Sequence, residues 1–487
     1  MGRIYVTLLA ALAVAGYADG AEFFEGNGFY LGDLHSHTAA SGDGNSSDLG
    51  GCSGECGAYS DVAGHAAAYD LDFVSYTDHV NGGQTAEPDE WMWTIEAIFD
   101  AHDPDDGLVT VPAAELFFDV GGHSVGHKNL YFFADNEDLE DIEIDDTRFN
   151  GTITALNDCQ SIWDWMKTVE AAWGDVVLLS HHPALGGDMA CDWSCHVPTD
   201  AAAYSPSAEI YGGHGDSSFA DTTFDPLWIP VTEASTLESA LDPDNFALRI
   251  GFVGGTDRHD TNPGAVCKTD TVMPQHPYGG GLTIAVIDEE EDFDRQPLYQ
   301  ALRDRRTYAT SGPLVPAVAE YWADDSYLGG MGESLLFEDA DELEIRVRVP
   351  EIWDAFVIEV LMVGPDGRAQ MTAEGGGNFV STLEADEVPD YLYPMLILDG
   401  EAWYGEDGCD DGGESAEERV WLSPTWFTPE PEGDDDDDDD DDDHTDDDDA
   451  TADDDDSTGD DDASGDDDDD DDNDNDDGGF KGNVSDG

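Results

Sequence analysis

Two histidines one residue apart, His35 and His37, follow Asp33 near the start of the chain. The apolar residues at 29–31 predict a β-strand leading into them, and alternate side chains of a strand share one face. Both imidazoles would then point the same way, with the carboxylate behind them. Neutral imidazole is a common metal ligand, and a carboxylate can orient it. A polar strand end with two surface histidines gives the same pattern, so the interpretation depends on matching ligands elsewhere.

Further histidines and carboxylates follow at the C-terminal ends of later predicted strands. The candidate metal ligands are His35, His37, Asp43, His79, Glu115, His127, His182, Asp257 and His259. Imidazole and carboxylate ligands suit Zn²⁺, Mn²⁺ or Fe. This set is too large for one ion and predicts two or three divalent metal ions. Glu115 is the candidate to bridge neighbouring ions.

The absence of other catalytic motifs narrows the chemistry. No serine nucleophile elbow, phosphate-cradling glycine loop or dinucleotide fingerprint occurs in the sequence. Hydrolysis by metal-bound hydroxide is therefore the simplest reaction that these residues predict. We expect Glu115, Asp257 and His259 to act in catalysis on a small-molecule ester or phosphoester.

The elements that must position these residues follow a repeated pattern of apolar strand, polar cluster, and helix or loop. This alternation predicts parallel βα units, and polar clusters at the carboxyl ends of strands are typical of a barrel-type active face. Seven or eight strands fit between about residues 28 and 315. Residues 316–428 instead alternate with period two, as in 343–349, and predict a small antiparallel β-sandwich.

Charge excludes one class of partner. The chain of 487 residues has a net charge of −99, so we expect no binding of nucleic acid, which is itself a polyanion. Residues 434–486 hold 32 Asp and one Lys. We expect the tail at 429–487 to be disordered by self-repulsion, with diffuse calcium binding as a possible role.

The first twenty residues and the cysteines both indicate export. Residues 1–20 begin with a single n-region charge, Arg3, followed by a short apolar run, and predict a signal peptide cleaved after Ala18, Gly20 or Ala21. No later run is long enough to span a membrane. Seven cysteines include two Cys-x-x-x-Cys pairs, at 52/56 and 191/195. Disulfides are favoured over a zinc site for both pairs, although connectivity stays open and the odd count leaves one thiol over.

Six short segments, in this order along the chain, resemble the motifs of the PHP (polymerase and histidinol phosphatase) superfamily. They are DLHSHT at 33–38 with SGDG at 41–44, LDF at 71–73 with TDH at 77–79, PAAE at 112–115, GHKNL at 126–130, HP at 182–183 and GTDRH at 255–259. The segments at 209–211, 263–264 and 305–313 are similar to those of an exported bacterial PHP-related family close to a carbaryl-hydrolase-like branch. The resemblance covers about residues 28–315, extends loosely to Trp426, and does not include the tail.

The resemblance implies a distorted (β/α)₇ barrel, a secreted, periplasmic or surface location in a bacterium, and two or three metal ions. It implies three ligand groups: His35, His37, Glu115 and Asp257; Glu115, His127 and His182; and Asp43, His79 and His259. His181 competes with His182 in the second group, and His123 competes with His127.

Alternative functions stay open at this point. The chain could be a phosphoesterase, a carboxyl-ester or carbamate hydrolase, or a non-catalytic surface protein with structural metals. An amidohydrolase also begins with His-x-His, but the barrel lysines do not lie at a suitable strand end for its bridging role. His214, in a glycine-rich loop, is either a substrate contact or a turn residue.

Overall fold

The computed structural model describes residues 26–49, 56–80, 88–139, 156–227, 229–266, 278, 280–312, 314–337, 340–399 and 417–429. All of them belong to one of the two units into which the chain divides, residues 1–431. The predicted signal peptide at 1–20 and nearly all of the predicted tail at 429–487 lie outside the described residues.

The first two thirds of the chain alternate strands and helices. The strands are β1 (Asn27–Asp33), β2 (Phe73–Tyr76), β3 (Val109–Val120), β4 (His123–Phe132), β5 (Val176–Ser180), β6 (Ser207–Gly212), β7 (Gly215–Asp216), β8 (Gly251–Gly254), β9 (Leu282–Asp288) and β10 (Thr307–Thr310). The helices are α1 (Val62–Tyr69), α2 (Pro88–Ala101), α3 (Asn136–Leu139), α4 (Gln160–Trp173), α5 (Ala201–Tyr204), α6 (Leu237–Leu241) and α7 (Arg295–Arg303).

The remaining part is mostly β-structure. Its strands are β11 (Val318–Ala323), β12 (Ser326–Gly330), β13 (Ser334–Phe337), β14 (Glu342–Arg348), β15 (Val357–Gly364), β16 (Gly367–Gln370), β17 (Thr372–Gly375), β18 (Asn378–Glu384), β19 (Tyr391–Asp399), β20 (Glu417–Leu422) and β21 (Thr425–Pro429). One short helix, α8 (Glu351–Asp354), interrupts them.

A large mixed sheet of sixteen strands carries the candidate site, and a separate antiparallel sheet of five strands packs beside it. Parallel pairing joins β1 to β2 and β2 to β3, and also joins β6 to β5 and β8. The expectation of parallel units throughout was wrong at β4, which is antiparallel to both β3 and β5, and at β1, which is antiparallel to β9. The β3–β4 connection is a tight hairpin, which leaves no room for the crossover helix that a parallel pair needs.

Backbone pairing does not close these strands into a barrel within the described residues. Strand β8 pairs with β6, but its link to β9 runs through a side chain. The Thr283 hydroxyl donates to the carbonyl of Gly254 (2.7 Å) and accepts the N–H of the same residue (3.0 Å). The Thr283 hydroxyl thus hydrogen-bonds to both the N–H and the carbonyl of Gly254, groups that backbone pairing with a neighbouring strand would otherwise satisfy.

The strands of the predicted sandwich at 316–428 divide between the two sheets. The five-stranded sheet has the order β12-β11-β14-β18-β17, and alternate residues of β14 (Leu343, Ile345 and Val347) are buried. Strands β13, β15, β16 and β19–β21 instead extend the large sheet, because β20 pairs with β10. One apolar cluster contains Tyr308 of β10 together with Ile345 and Leu396, so this part shares a core with the first.

A disulfide fixes the start of α4. Cys159 bonds to Cys195, whereas Cys191 is a buried free thiol, so the expected 191/195 pair was wrong. The indole N–H of Trp163 donates to the carbonyl of Cys195 (2.8 Å), which holds the segment after β5 against the helix. Cys56 also forms a disulfide. Among the described residues, no helix combines the length and apolar character needed to cross a bilayer.

Candidate metal centre

Backbone hydrogen bonds between the loops after β1 and β8 set their ligands side by side. The N–H of His37 donates to the carbonyl of Arg258 (2.7 Å), and the N–H of Asp257 donates to the carbonyl of His35 (2.7 Å). These two loops are far apart in sequence but adjacent in space. They bring the His-x-His and Asp-x-His segments together.

Asp33 has a different role from the predicted one. Its carboxylate accepts the N–H groups of His35 (3.1 Å), Thr256 (3.1 Å) and Gly264 (2.8 Å), so it fixes backbone and does not orient an imidazole. Glu209 of β6 takes the orienting role instead. Its Oε2 lies 2.8 Å from Nδ1 of His35, which leaves Nε2 of that ring directed at the centre.

The loop after β2 brings His79 to Glu115 of β3. The N–H of Glu115 donates to the carbonyl of Asp78 (3.0 Å), and the N–H of Val80 donates to the carbonyl of Glu115 (3.1 Å). The Asp78 carboxylate accepts the N–H of Thr38 (2.7 Å), which ties the first histidine loop to the second. Asp78 is therefore a support for the loops.

Four atoms define a first position. Nε2 of His35 lies 3.3 Å from Nε2 of His37 and 3.4 Å from Oε2 of Glu115, and Nε2 of His37 lies 3.2 Å from the same oxygen. Oδ1 of Asp257 lies 3.3 Å from both imidazole nitrogens. Two ligand atoms that each lie about 2.0 Å from one ion, the usual Zn–N and Zn–O distance, are about 3.3 Å apart at the tetrahedral angle, so these five distances suit ligands of a shared ion.

The second oxygen of Glu115 faces a second position. Oε1 lies 2.7 Å from Nδ1 of His127 and 3.3 Å from Nε2 of His181 and from Nδ1 of His79. His182 belongs to a group with His127 and His181, with one ligand atom from each residue, all within 4.8 Å of one another. The imidazole that faces the Glu115 carboxylate is thus that of His181, the alternative to His182 in the sequence-based ligand group.

A third position lies around Asp43. Its Oδ2 is 3.3 Å from Nε2 of His259 and 3.6 Å from Nε2 of His79, and His37, His79 and His259 form another potential ligand group. Nδ1 of His259 lies 3.0 Å from the carbonyl oxygen of Asp257. When that nitrogen carries the hydrogen, Nε2 is left as the ligand atom. All nine sequence-predicted ligands therefore lie in one cluster.

Three residues of the cluster were not on the predicted ligand list. The sequence offers His181 only as a competitor of His182, Glu209 only within a segment similar to a PHP-related family, and His214 as either a substrate contact or a turn residue. Nε2 of His214 lies 3.1 Å from Oδ2 of Asp257. The doublet of histidines before Pro183 was the available signal for His181, because neighbouring residues at a strand end point to different sides.

Two residues of the cluster have unusual backbone conformations. His182 has a φ of 33° and Asp257 a φ of 52°, in the left-handed region that side chains with a Cβ rarely adopt. Such conformations cost on the order of 1–3 kcal/mol and persist where the surrounding structure fixes them, often at functional sites.

The charges in the cluster are strongly coupled. Burial alone would raise the pKa of Glu115, but the imidazoles of His181, His79 and His127 hold it well below its usual range. Burial lowers the pKa of His181 to about 3, so its ring is neutral at neutral pH and suited to ligation. Burial opposes a charge on His37, yet Asp257 and Glu115 raise its pKa to about 10.

The residues fit divalent cations. Within the described part of the chain, several buried polar atoms of the cluster have no hydrogen-bond partner, namely Oε2 of Glu115, Oδ1 of Asp43, both ring nitrogens of His181 and Nδ1 of His182. Buried polar atoms are normally paired, and imidazole and carboxylate groups without partners are suited to bind metal. These buried histidine and carboxylate groups are therefore capable of divalent metal binding.

Solvent reaches the cluster from one side. The side chains of His79, Asp43 and His127 are 13%, 15% and 18% exposed. Those of His35 and Glu115 are each 2% exposed. A small molecule would thus approach the second and third positions, while the first position is enclosed.

Comparison with protein-family models gives no match, and comparison with curated proteins gives none either. The interpretation of the cluster therefore depends on its geometry and on the sequence motifs.

Proposed function

We propose that this protein is a multinuclear metal-dependent hydrolase of the PHP type that acts on phosphoester or related ester bonds. The observation that supports this most directly is the convergence of four ligand atoms: Nε2 of His35 and Nε2 of His37 lie 3.3 Å apart, and Oε2 of Glu115 and Oδ1 of Asp257 each lie 3.2–3.4 Å from both nitrogens. Structural zinc sites also use four ligands, but here Glu115 has a second oxygen that faces further imidazoles.

Each residue has a defined task in this proposal. Glu209 holds the Nδ1 side of His35, and Ser41 lies 3.1 Å from Nδ1 of His37, so both rings present Nε2 to the centre. Glu115 joins two positions through its two oxygens. Divalent cations bound by these groups would polarise an ester oxygen and lower the pKa of a water molecule.

The open side of the cluster determines where a substrate would bind. His79, Asp43 and His127 are partly exposed, and the Phe117 ring lies 5.2 Å from that of His127. An ester oxygen could approach the second and third positions there, with an apolar group of the substrate against Phe117. The enclosed first position would then serve mainly to fix Glu115.

The resemblance to the PHP superfamily supports two further parts of the proposal. We propose that β1–β6 and β8 form a distorted (β/α)₇-type barrel, with β9 between β1, with which it pairs, and β8, to which the Thr283 hydroxyl joins it. We also propose that residues 1–20 direct export of the protein from a bacterial cell. Neither part is needed for the metal chemistry itself.

The test combines metal analysis with an activity panel. Purified protein is stripped with a chelator, reloaded with Zn²⁺, Mn²⁺ or Fe²⁺, and assayed on phosphomonoesters, phosphodiesters, carboxyl esters and carbamates. We expect activity on phosphoesters that chelation removes and metal restores, and its loss together with bound metal in His35→Ala. His102→Gln is the matched control, because His102 also pairs with a carboxylate, Asp294, at 3.2 Å but lies outside the cluster.

Two results would contradict the proposal. A metal-loaded protein that is inert on the whole panel would indicate a non-catalytic metal-binding protein. Full activity in His35→Ala would remove the metal centre from the mechanism. Turnover confined to carboxyl esters or carbamates would support a hydrolase, but one with a substrate class other than phosphoesters.

A further inference from the structure

The two carboxylate oxygens of Asp257 face different groups of ligands, as those of Glu115 do. Oε2 of Glu115 faces the first position and Oε1 faces the second. Oδ1 of Asp257 faces the first position, while Oδ2 lies 3.1 Å from Nε2 of His214. If Glu115 bridges two cations, the second oxygen of Asp257 is placed to do the same on the side that faces His214.

His182 lies beside His214. Its ring is nearly perpendicular to that of His214, with 4.8 Å between the ring centroids, and its Nδ1 is buried without a hydrogen-bond partner among the described residues. Ligand atoms of His182, His214 and Asp257 all lie within 4.8 Å of one another, and all three residues are buried. Because His181 already faces Glu115, His182 is not required at the second position.

We propose that His182, His214 and Asp257 bind a further divalent cation, which Asp257 bridges to the first position. The proposal rests on the proposed metal-dependent function, and it adds a position to the three ligand groups implied by the sequence. Two imidazoles and one carboxylate favour Zn²⁺ or a similar borderline cation over Mg²⁺ or Ca²⁺, which prefer oxygen ligands.

Burial suggests what such a cation would do. His182, His214 and Asp257 are only 3%, 6% and 3% exposed, so this position lies away from the open side of the cluster. A cation there would not meet the substrate directly. It would compensate the charge of Asp257 and fix the direction in which Oδ1 points, as a neighbouring charge does in other metal sites.

The test counts tightly bound metal without any substrate. Full-length wild-type protein, His214→Gln, His182→Gln and the double variant are loaded with Zn²⁺ and then equilibrated with excess Mg²⁺, which occupies weak carboxylate sites in the Asp-rich tail. Elemental analysis gives the bound Zn²⁺ per chain. His102→Gln serves as the control for loss of a histidine paired with a carboxylate, and circular dichroism checks the fold of every variant.

We expect each single variant to lose one equivalent of Zn²⁺ and the double variant to lose the same single equivalent. Unchanged Zn²⁺ in His214→Gln would overturn the proposal, because His214 would then only hydrogen-bond to Asp257. Loss of two equivalents in the double variant would overturn it as well, since His182 would belong to the second position. Wild-type protein that binds Zn²⁺ but hydrolyses nothing would refute the proposed function alone, because this count needs no turnover.

Discussion

Glu209 links the first metal position to the segment after β5. Its Oε2 lies 2.8 Å from Nδ1 of His35, and its Oε1 accepts the backbone N–H of His182 at 3.1 Å. The Glu209 side chain is buried. It lies so close to Gly212 and Gly255 that a Cβ at either position would be within 2.8 Å of a Glu209 oxygen. The Glu209 carboxylate thus holds both the imidazole of His35 and the backbone at His182 in place.

The first prediction concerns this carboxylate. Glu209→Gln keeps the shape of the side chain but removes its charge, so the imidazole of His35 becomes a weaker ligand. We expect the affinity for Zn²⁺ to fall about 10–100-fold, as for other groups that orient a metal-bound histidine. Competition with a chromophoric chelator measures this. Glu418→Gln, which changes a buried glutamate bonded to Ser311, should leave the affinity unchanged. Equal losses in the two variants would show a general effect of destabilisation.

The second prediction separates a bridging ligand from a terminal one. Glu115 faces imidazoles of the first position through Oε2 and of the second through Oε1, whereas His127 lies at the second position only. Glu115→Gln should therefore lose two equivalents of tightly bound metal, and His127→Gln only one. Elemental analysis after gel filtration gives both counts. A single equivalent lost from each variant would contradict the bridging role of Glu115.

The third prediction concerns pH. Burial disfavours a charged His37, but Asp257 and Glu115 outweigh this and raise its pKa to about 10 in the metal-free protein. Below that pH the ring carries a proton that a cation must displace, so metal binding releases protons and strengthens as pH rises. We expect the Zn²⁺ affinity to increase at least about tenfold per pH unit between roughly pH 6 and pH 8. Calorimetry in buffers of different ionisation enthalpy measures the released protons, and a pH-independent affinity would contradict this account.

Local sequence patterns were sufficient for the elements that carry the ligands. The amphipathic pattern of residues 161–173 predicts a helix, which is α4 (Gln160–Trp173), and the apolar run at 176–179 predicts a strand, which is β5 (Val176–Ser180). The expectation that Glu115 lies near His79 was also correct, although Glu115 is within β3 and not at the predicted strand end. Periodicity and burial are local properties, so they can be read from a single chain.

Features that depend on tertiary geometry could not be read in this way. Whether His181 or His182 faces Glu115 depends on the left-handed turn at His182, which no local pattern indicates. Cys195 bonds to Cys159, which is 36 residues away, because α4 packs against the segment after β5. Spacing alone favoured Cys191 as the partner. The hydroxyl link from Thr283 to β8 was likewise invisible to a rule based on backbone ladders.

The last prediction uses a carboxylate away from the metal centre. Asp72, just before β2, accepts the N–H of Leu31 at 2.8 Å, and burial together with nearby Asp70 raises its pKa to about 6. Between about pH 4 and pH 6 the folded protein binds this proton more tightly than the unfolded chain does. The contribution of Asp72 to the free energy of unfolding therefore decreases as pH rises through that range.

Asp72→Asn keeps the acceptor for Leu31 and removes the charge. We expect it to match the wild type near pH 4 and to be more stable by roughly 1–3 kcal/mol above pH 6. Denaturant unfolding of both proteins across this range gives the difference, in which the shared metal centre cancels. Glu96→Gln, on the exposed face of α2, is the control for the loss of one carboxylate charge. A difference in the free energy of unfolding between Asp72→Asn and wild type that stays constant at every pH would mean that folding does not change the pKa of the Asp72 carboxyl group.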